Sequence, residues 1–152
     1  MRRGILLLLL LVCGCREPTR LPPQGTGPSP ADFSGERALD AVRRLVALGQ
    51  RDAGTPGAER AARHLSECLS ALGLDVEVDA FEDATPNGKM VFRNVIGRLP
   101  GRDGPLLLLG THYDTKSGIG PRFQGANDSG SGTGVLLELA RVFSQAGCPQ
   151  GL

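Results

Sequence analysis

His112 and Asp114, two residues apart, and Asp128, beyond a glycine-rich loop, are the residues of this chain whose types and spacing could do chemistry. A neutral imidazole with a carboxylate is an incomplete nitrogen and oxygen set of the kind a borderline cation such as zinc accepts. Asp114 is placed to hold the second ring nitrogen of His112 and so fix its tautomer. Asp128 has a plainer alternative, because it stands just before a helical segment and aspartate is a good N-cap. The other histidine, His64, lies in a helical stretch without a partner motif and reads as a surface or packing residue.

These side chains need a frame. Leu106 to Leu109 is an apolar run without helical period, bounded by Gly104-Pro105 and Gly110, as expected of a strand buried on both faces. That strand would leave His112 and Asp114 at its carboxyl end, where ligands gather in open α/β sheets. Val135, Leu136, Leu139, Val142 and Phe143 recur at three- and four-residue spacings and predict an amphipathic helix from about Ser129 to Gln145.

Upstream, Ser34 is set to cap a helix with Ala38, Ala41, Val42, Leu45 and Leu48 on one face. Gly54-Thr55-Pro56-Gly57 breaks the chain, and a second helix is expected from about Ala58 to Leu72, with Gly73 as its C-cap. Leu74 to Ala80 alternates apolar and acidic residues, a strand with one solvated face whose acids solubilise it rather than bind a cation. Asn87-Gly88 marks a turn into a second strand, Lys89 to Gly97, antiparallel to the first, and Leu99 to Gly104 is a loop. The expected class is α/β, a three-layer α/β/α arrangement with a mixed, mostly parallel sheet in which residues 106–110 join one of the two strands in parallel.

The motif Gly110-Thr111-His112-Tyr113-Asp114-Thr115-Lys116, then Gly125-Ala126-Asn127-Asp128-Ser129-Gly130 and the helix VLLELAR, resembles the first two metal-site motifs of metallopeptidase family 28. This family holds zinc aminopeptidases and related glutaminyl cyclases, and the likeness runs from about Ala38 to Gln145. It implies a zinc exopeptidase-like fold and one or two zinc ions. It makes His112 a ligand, as in the two-zinc aminopeptidases, and Asp128 the residue that bridges two zincs or holds the single zinc of cyclases. It places Asp114 behind His112 and implies a cis peptide bond between Asp128 and Ser129. It also implies later groups: a Glu-Glu pair supplying the general base and a ligand, a further acidic ligand and a late His. After Asp128 this chain has one acidic residue, Glu138, and no His. The expectation is a catalytic domain truncated after the helix that follows the second motif, holding zinc weakly, inactive alone and leaving apolar surface exposed.

Three functions are set against one another. Aminopeptidase-type hydrolysis of N-terminal peptide bonds comes first, on the likeness of Ser129-Gly130-Ser131-Gly132 to bacterial peptidase members. The alternative is a glutaminyl-peptide cyclotransferase of the same fold, favoured by His112 to Lys116, the short loop Ser117 to Gln124 and Arg122-Phe123. A non-catalytic lipoprotein fragment is the third. Either enzyme takes a peptide substrate.

Residues 1–15 carry a positive start and an apolar core too short to span a bilayer, which predicts a signal peptide. Its end, Val12-Cys13-Gly14-Cys15, resembles a bacterial lipobox, so Cys15 is the candidate for lipidation. The chain is expected to be exported, and either anchored by that lipid to the cell envelope, in the outer membrane or periplasm, or secreted. Residues 16–32 are rich in Pro and Gly and predict a flexible tether, leaving 33–152 for one domain. A net charge of +1 and the absence of Trp exclude steering toward nucleic acid and recognition by base stacking. Cys68 and Cys148 fall on or near different helices, and no disulfide is predicted between them.

Overall fold

The structure is a computed structural model and describes residues 27–101 and 106–146. The signal segment 1–15 with Cys15, the tether up to residue 26 and Cys148 lie outside the described residues. The last part of the expected tether already holds a short 3-10 turn, Pro30–Asp32, closed by a capping box with Ser29.

Helix α1, Gly35–Ala47, starts where expected, the Ser34 hydroxyl accepting the Arg37 N–H at 3.3 Å. Helix α2, Pro56–Ala71, begins two residues earlier than its apolar periodicity suggests. Pro56 sits in the first turn, where its missing N–H costs nothing, and the Thr55 hydroxyl accepts the Ala58 N–H at 3.4 Å. The part of Gly54 to Gly57 expected to be a turn is thus half helix.

Strands β1, Asp75–Thr85, and β2, Gly88–Arg98, pair antiparallel and extend beyond the expected alternating stretch. Phe81 faces Phe92 across the ladder with ring centroids 5.6 Å apart, and Lys89 reaches Glu82 at 2.9 Å. Cross-strand pairs of this kind stabilise a hairpin past the point where hydrophobic alternation fades. The acids of β1 are used the same way, Glu77 on Arg98 at 2.7 Å and Asp79 on Asn94 at 3.3 Å, as their solubilising reading requires.

Helix α3, Gly132–Ala146, begins three residues later than predicted. It is preceded by a short π-type turn, Ala126–Ser131, inside which Asp128 and Ser129 have non-helical backbone angles. α1 packs on α3, and α2 packs on both strands. Leu45, Ala61 and Leu65 form the buried centre, with Leu48, Val95, Tyr113 and Leu137 around it. The α1–α3 approach is close enough that a Cβ on Gly134 would lie 2.5 Å from the Ala38 carbonyl oxygen.

The expected third strand is not there. Among the described residues the sheet has two antiparallel strands, and Leu106 to Gly110 enters no ladder, so the expected parallel pairing of residues 106–110 is not formed there. Just downstream of the run, contact with β2 is made by a side chain: the Tyr113 hydroxyl, and not a main-chain N–H, donates to the Arg93 carbonyl at 2.8 Å. A groove remains between Leu107, Leu108 and Leu109 on one side and Val95, Gly97 and Leu99 on the other. The four leucines are exposed, Leu108 at 83%.

Candidate functional site

The sequence places His112 after a run with no ladder to hold it, and the structure fixes it by other bonds. The His112 carbonyl accepts from the Thr111 hydroxyl at 3.2 Å and from the Thr133 hydroxyl, in the first turn of α3, at 3.4 Å. A Cβ on Gly132 would lie 2.5 Å from Thr111 Oγ1, so the start of α3 rests directly against the His112 segment.

Asp128 approaches from the other side. Gly125 takes the left-handed conformation, φ 54°, which glycine adopts without the steric penalty of a side chain, and it redirects the chain into the turn at Ala126–Ser131. The Gly130 N–H donates to the Gly125 carbonyl at 3.0 Å. The Asp128 carboxylate is directed at His112 instead of capping these amides: Oδ1 lies 3.0 Å from His112 Nε2. The Asp128–Ser129 peptide bond is cis, as the family resemblance implies.

The second imidazole nitrogen is also held. His112 Nδ1 lies 3.2 Å from Asp114 Oδ1. The structure thus brings together all three candidates, His112, Asp114 and Asp128, in an open, solvent-facing group. Two donors on one tetrahedral zinc, each bound at about 2.0 Å, are separated by about 3.3 Å, close to the separation found between His112 Nε2 and Asp128 Oδ1. As a donor set they fit two positions of such an ion. Among the described residues no group of three His, Cys, Asp or Glu side chains converges as a complete cation site.

Two other residues can be placed. Glu138 points away from the site, into the α1–α3 interface, where it accepts from the Ser34 N–H at 2.9 Å and from Arg141 at 2.6 Å. The Arg141 hydrogen bond, aided by the Ser34 N–H and opposed by burial, holds its carboxyl below the usual carboxylate range. His64 lies 3.7 Å from Cys68 Sγ, one helical turn away on α2, a packing contact remote from the site. Burial pushes the Cys68 thiol up, so it is not poised as a nucleophile.

Beneath the group lies a layer that sequence reasoning missed. Arg51, in the loop between α1 and α2, is wholly buried. Its backbone N–H donates to the Thr115 hydroxyl at 2.8 Å, and that hydroxyl donates to the Asp52 carboxylate. Burial lowers the Arg51 pKa from its ordinary value, with Asp114 and Asp52 drawing it back up. Gln50 adds a bond from Nε2 to the Gly120 carbonyl at 2.7 Å. An arginine in a polar loop gives no periodic or motif signal. Only the buried carbonyls around it reveal its place.

Residues 94–151 match the model of peptidase family M28. A glutaminyl-peptide cyclotransferase of Drosophila melanogaster is 36% identical over 128 residues, covering 77% of this chain and 36% of that protein. Among solved structures, Porphyromonas gingivalis glutaminyl cyclase superposes with a TM-score of 0.71 at 32% identity, over 79% of this chain and 43% of that one. A Zn-dependent exopeptidase from Parabacteroides distasonis gives 0.63 at 27% identity, over 79% and 44%. The described residues thus share the zinc exopeptidase-like fold, and the chain spans less than half the length of each of these relatives. In its motifs, its fold and the matched segment 94–151, the chain is similar to peptidase family M28.

Proposed function

We propose that this chain contributes the His112, Asp114 and Asp128 side of a zinc site in a glutaminyl-peptide cyclotransferase. The observation that carries the reading is the convergence of Asp128 on His112 at 3.0 Å in a chain 36% identical to a glutaminyl-peptide cyclotransferase. This moves the cyclase ahead of the aminopeptidase that the Ser-Gly-Ser-Gly stretch favours.

In cyclisation the α-amine of an N-terminal glutamine attacks its own γ-carboxamide carbon. A C–N bond forms, the bond to the side-chain nitrogen breaks, and ammonia leaves with the proton the amine gives up. Zinc, when bound, would polarise the γ-carbonyl. Asp128 would hold it, His112, 3.0 Å from Asp128, is placed to join as a second ligand as in the two-zinc members, and Asp114 would keep the His112 ring oriented with the correct nitrogen free. Glu138 is committed to Ser34 and Arg141, so it serves neither as general base nor as a further ligand.

The second reading is an exopeptidase of the same family, supported by the likeness to the Parabacteroides distasonis enzyme. On sequence grounds alone we also propose export, with Cys15 as a lipid anchor. The test is an assay of the full-length gene product on a peptide with N-terminal glutamine and on one with N-terminal leucine. Ammonia release from the first, lost with chelator and restored by zinc, supports the cyclase. Amino-acid release from the second supports the exopeptidase. Neither activity in zinc-loaded protein overturns both and leaves the non-catalytic lipoprotein.

A further inference from the structure

Arg51 is completely buried, yet among the described residues it forms no ion pair. Its side-chain donors go to main-chain carbonyls. Nε donates to Tyr113 at 2.9 Å, Nη1 to Gly49 at 3.0 Å and Gln124 at 2.9 Å, and Nη2 to Gly125 at 3.3 Å. The Tyr113 carbonyl lies between His112 and Asp114. The Gln124 and Gly125 carbonyls open the turn that carries Asp128. One rigid, planar group therefore touches both segments of the candidate site, and a loop that contributes no side chain to the site anchors it.

A buried guanidinium usually takes a carboxylate partner, because desolvating an unpaired charge is costly. Here Asp114 and Asp52 favour the charge from a distance, and the direct partners are carbonyl dipoles on the segments that carry two other residues. We infer that Arg51 is the positioning residue of the His112–Asp128 pair: its guanidinium sets the separation of their two segments and so the grip of the pair on a cation. The second half of that statement rests on the metal reading above. A lysine cannot replace it, since an ammonium is a point donor and cannot span carbonyls on three sides.

A merely structural arginine would affect only global stability, and the test separates the two roles. The full chain is compared with Arg51→Met, Arg51→Lys and Leu45→Ala, the last a core truncation that weakens the fold but removes none of the hydrogen bonds of Arg51, His112 or Asp128. Two quantities are read under conditions where circular dichroism shows each variant folded. One is amide exchange at Thr115 and Gly130, whose N–H groups donate to the Arg51 and Gly125 carbonyls. The other is zinc affinity by competition with a chromogenic chelator. Both Arg51 variants should exchange these amides about tenfold faster than Leu45→Ala and hold zinc about 10- to 100-fold more weakly than the unaltered chain.

Exchange and affinity no worse than in Leu45→Ala overturn the inference, as does faster exchange with unchanged affinity. If Arg51→Met fails to fold, Arg51→Lys is read by the same criteria. If neither folds, Arg51 serves the fold as a whole and the inference falls. Zinc bound by the unaltered chain no better than by His112→Ala overturns the metal reading instead, while the exchange measurement still decides whether Arg51 holds the two segments.

Discussion

Glu138, on the third helix, accepts the backbone N–H of Ser34, the residue whose hydroxyl caps the first helix. One carboxylate therefore joins the start of α1 to the middle of α3, and Arg141 holds it in place. Its folded pKa lies below the ordinary glutamate value, first because of the Arg141 hydrogen bond. A depressed carboxyl stabilises the fold above its unfolded pKa, and that contribution is lost as pH falls through the folded value. Glu138→Gln should lower the melting temperature at neutral pH. It should also flatten the loss of stability between about pH 6 and pH 3 relative to the unaltered chain. Melting curves across that range check this, and parallel pH profiles would refute it.

Gly134 lets α1 and α3 approach. A Cβ there would lie 2.5 Å from the Ala38 carbonyl oxygen and 2.6 Å from Val42 Cγ2, so Gly134→Ala must push the helices apart. The expected loss is about 1–3 kcal/mol, typical of overpacking, although alanine is the better helix former. Urea unfolding measures it; a stability gain would mean that the interface yields freely.

Asp114→Asn keeps the shape but removes the charge facing His112 Nδ1. Zinc affinity should fall by about tenfold or more, as for other residues that orient a ligand. His112→Ala and Asp128→Ala should lose the site entirely. Chelator competition ranks the three variants, and an Asp114→Asn affinity equal to that of the unaltered chain would remove Asp114 from the group.

Leu108 is 83% exposed in a run of four exposed leucines. Leu108→Lys should reduce self-association, read by light scattering, while changing the unfolding free energy by no more than about 0.5 kcal/mol, as for surface substitutions. A large destabilisation would mean that this side chain is covered.

Local signals carried much of this architecture. Ser34 announces α1, the acids of β1 announce an exposed strand, and the two glycine-rich motifs bring His112 and Asp128 to one place. The signal that failed was the apolar run at Leu106. Its composition describes a doubly buried strand, but composition cannot say which backbone lies beside it, and all four leucines are exposed. Helix α3 starts three residues later than its apolar spacing predicts because the turn at Ala126–Ser131 runs straight into it, and Ser129, Gly130 and Ser131 carry no apolar side chain that would mark the boundary. Arg51 was invisible for a related reason: its partners are carbonyls, which every residue possesses.

The bonds of Arg51 to Tyr113 and Gln124 join parts of the chain separated by 62 and 73 residues. No short peptide spanning either motif can reproduce the arrangement, because the contacts that fix it close loops of that size and their entropy is offset only when the intervening helices and hairpin have packed. The spacing of the His112–Asp128 pair is thus a property of the whole domain. An excised fragment carrying both motifs but not the α1–α2 loop would hold the ligands without holding their spacing.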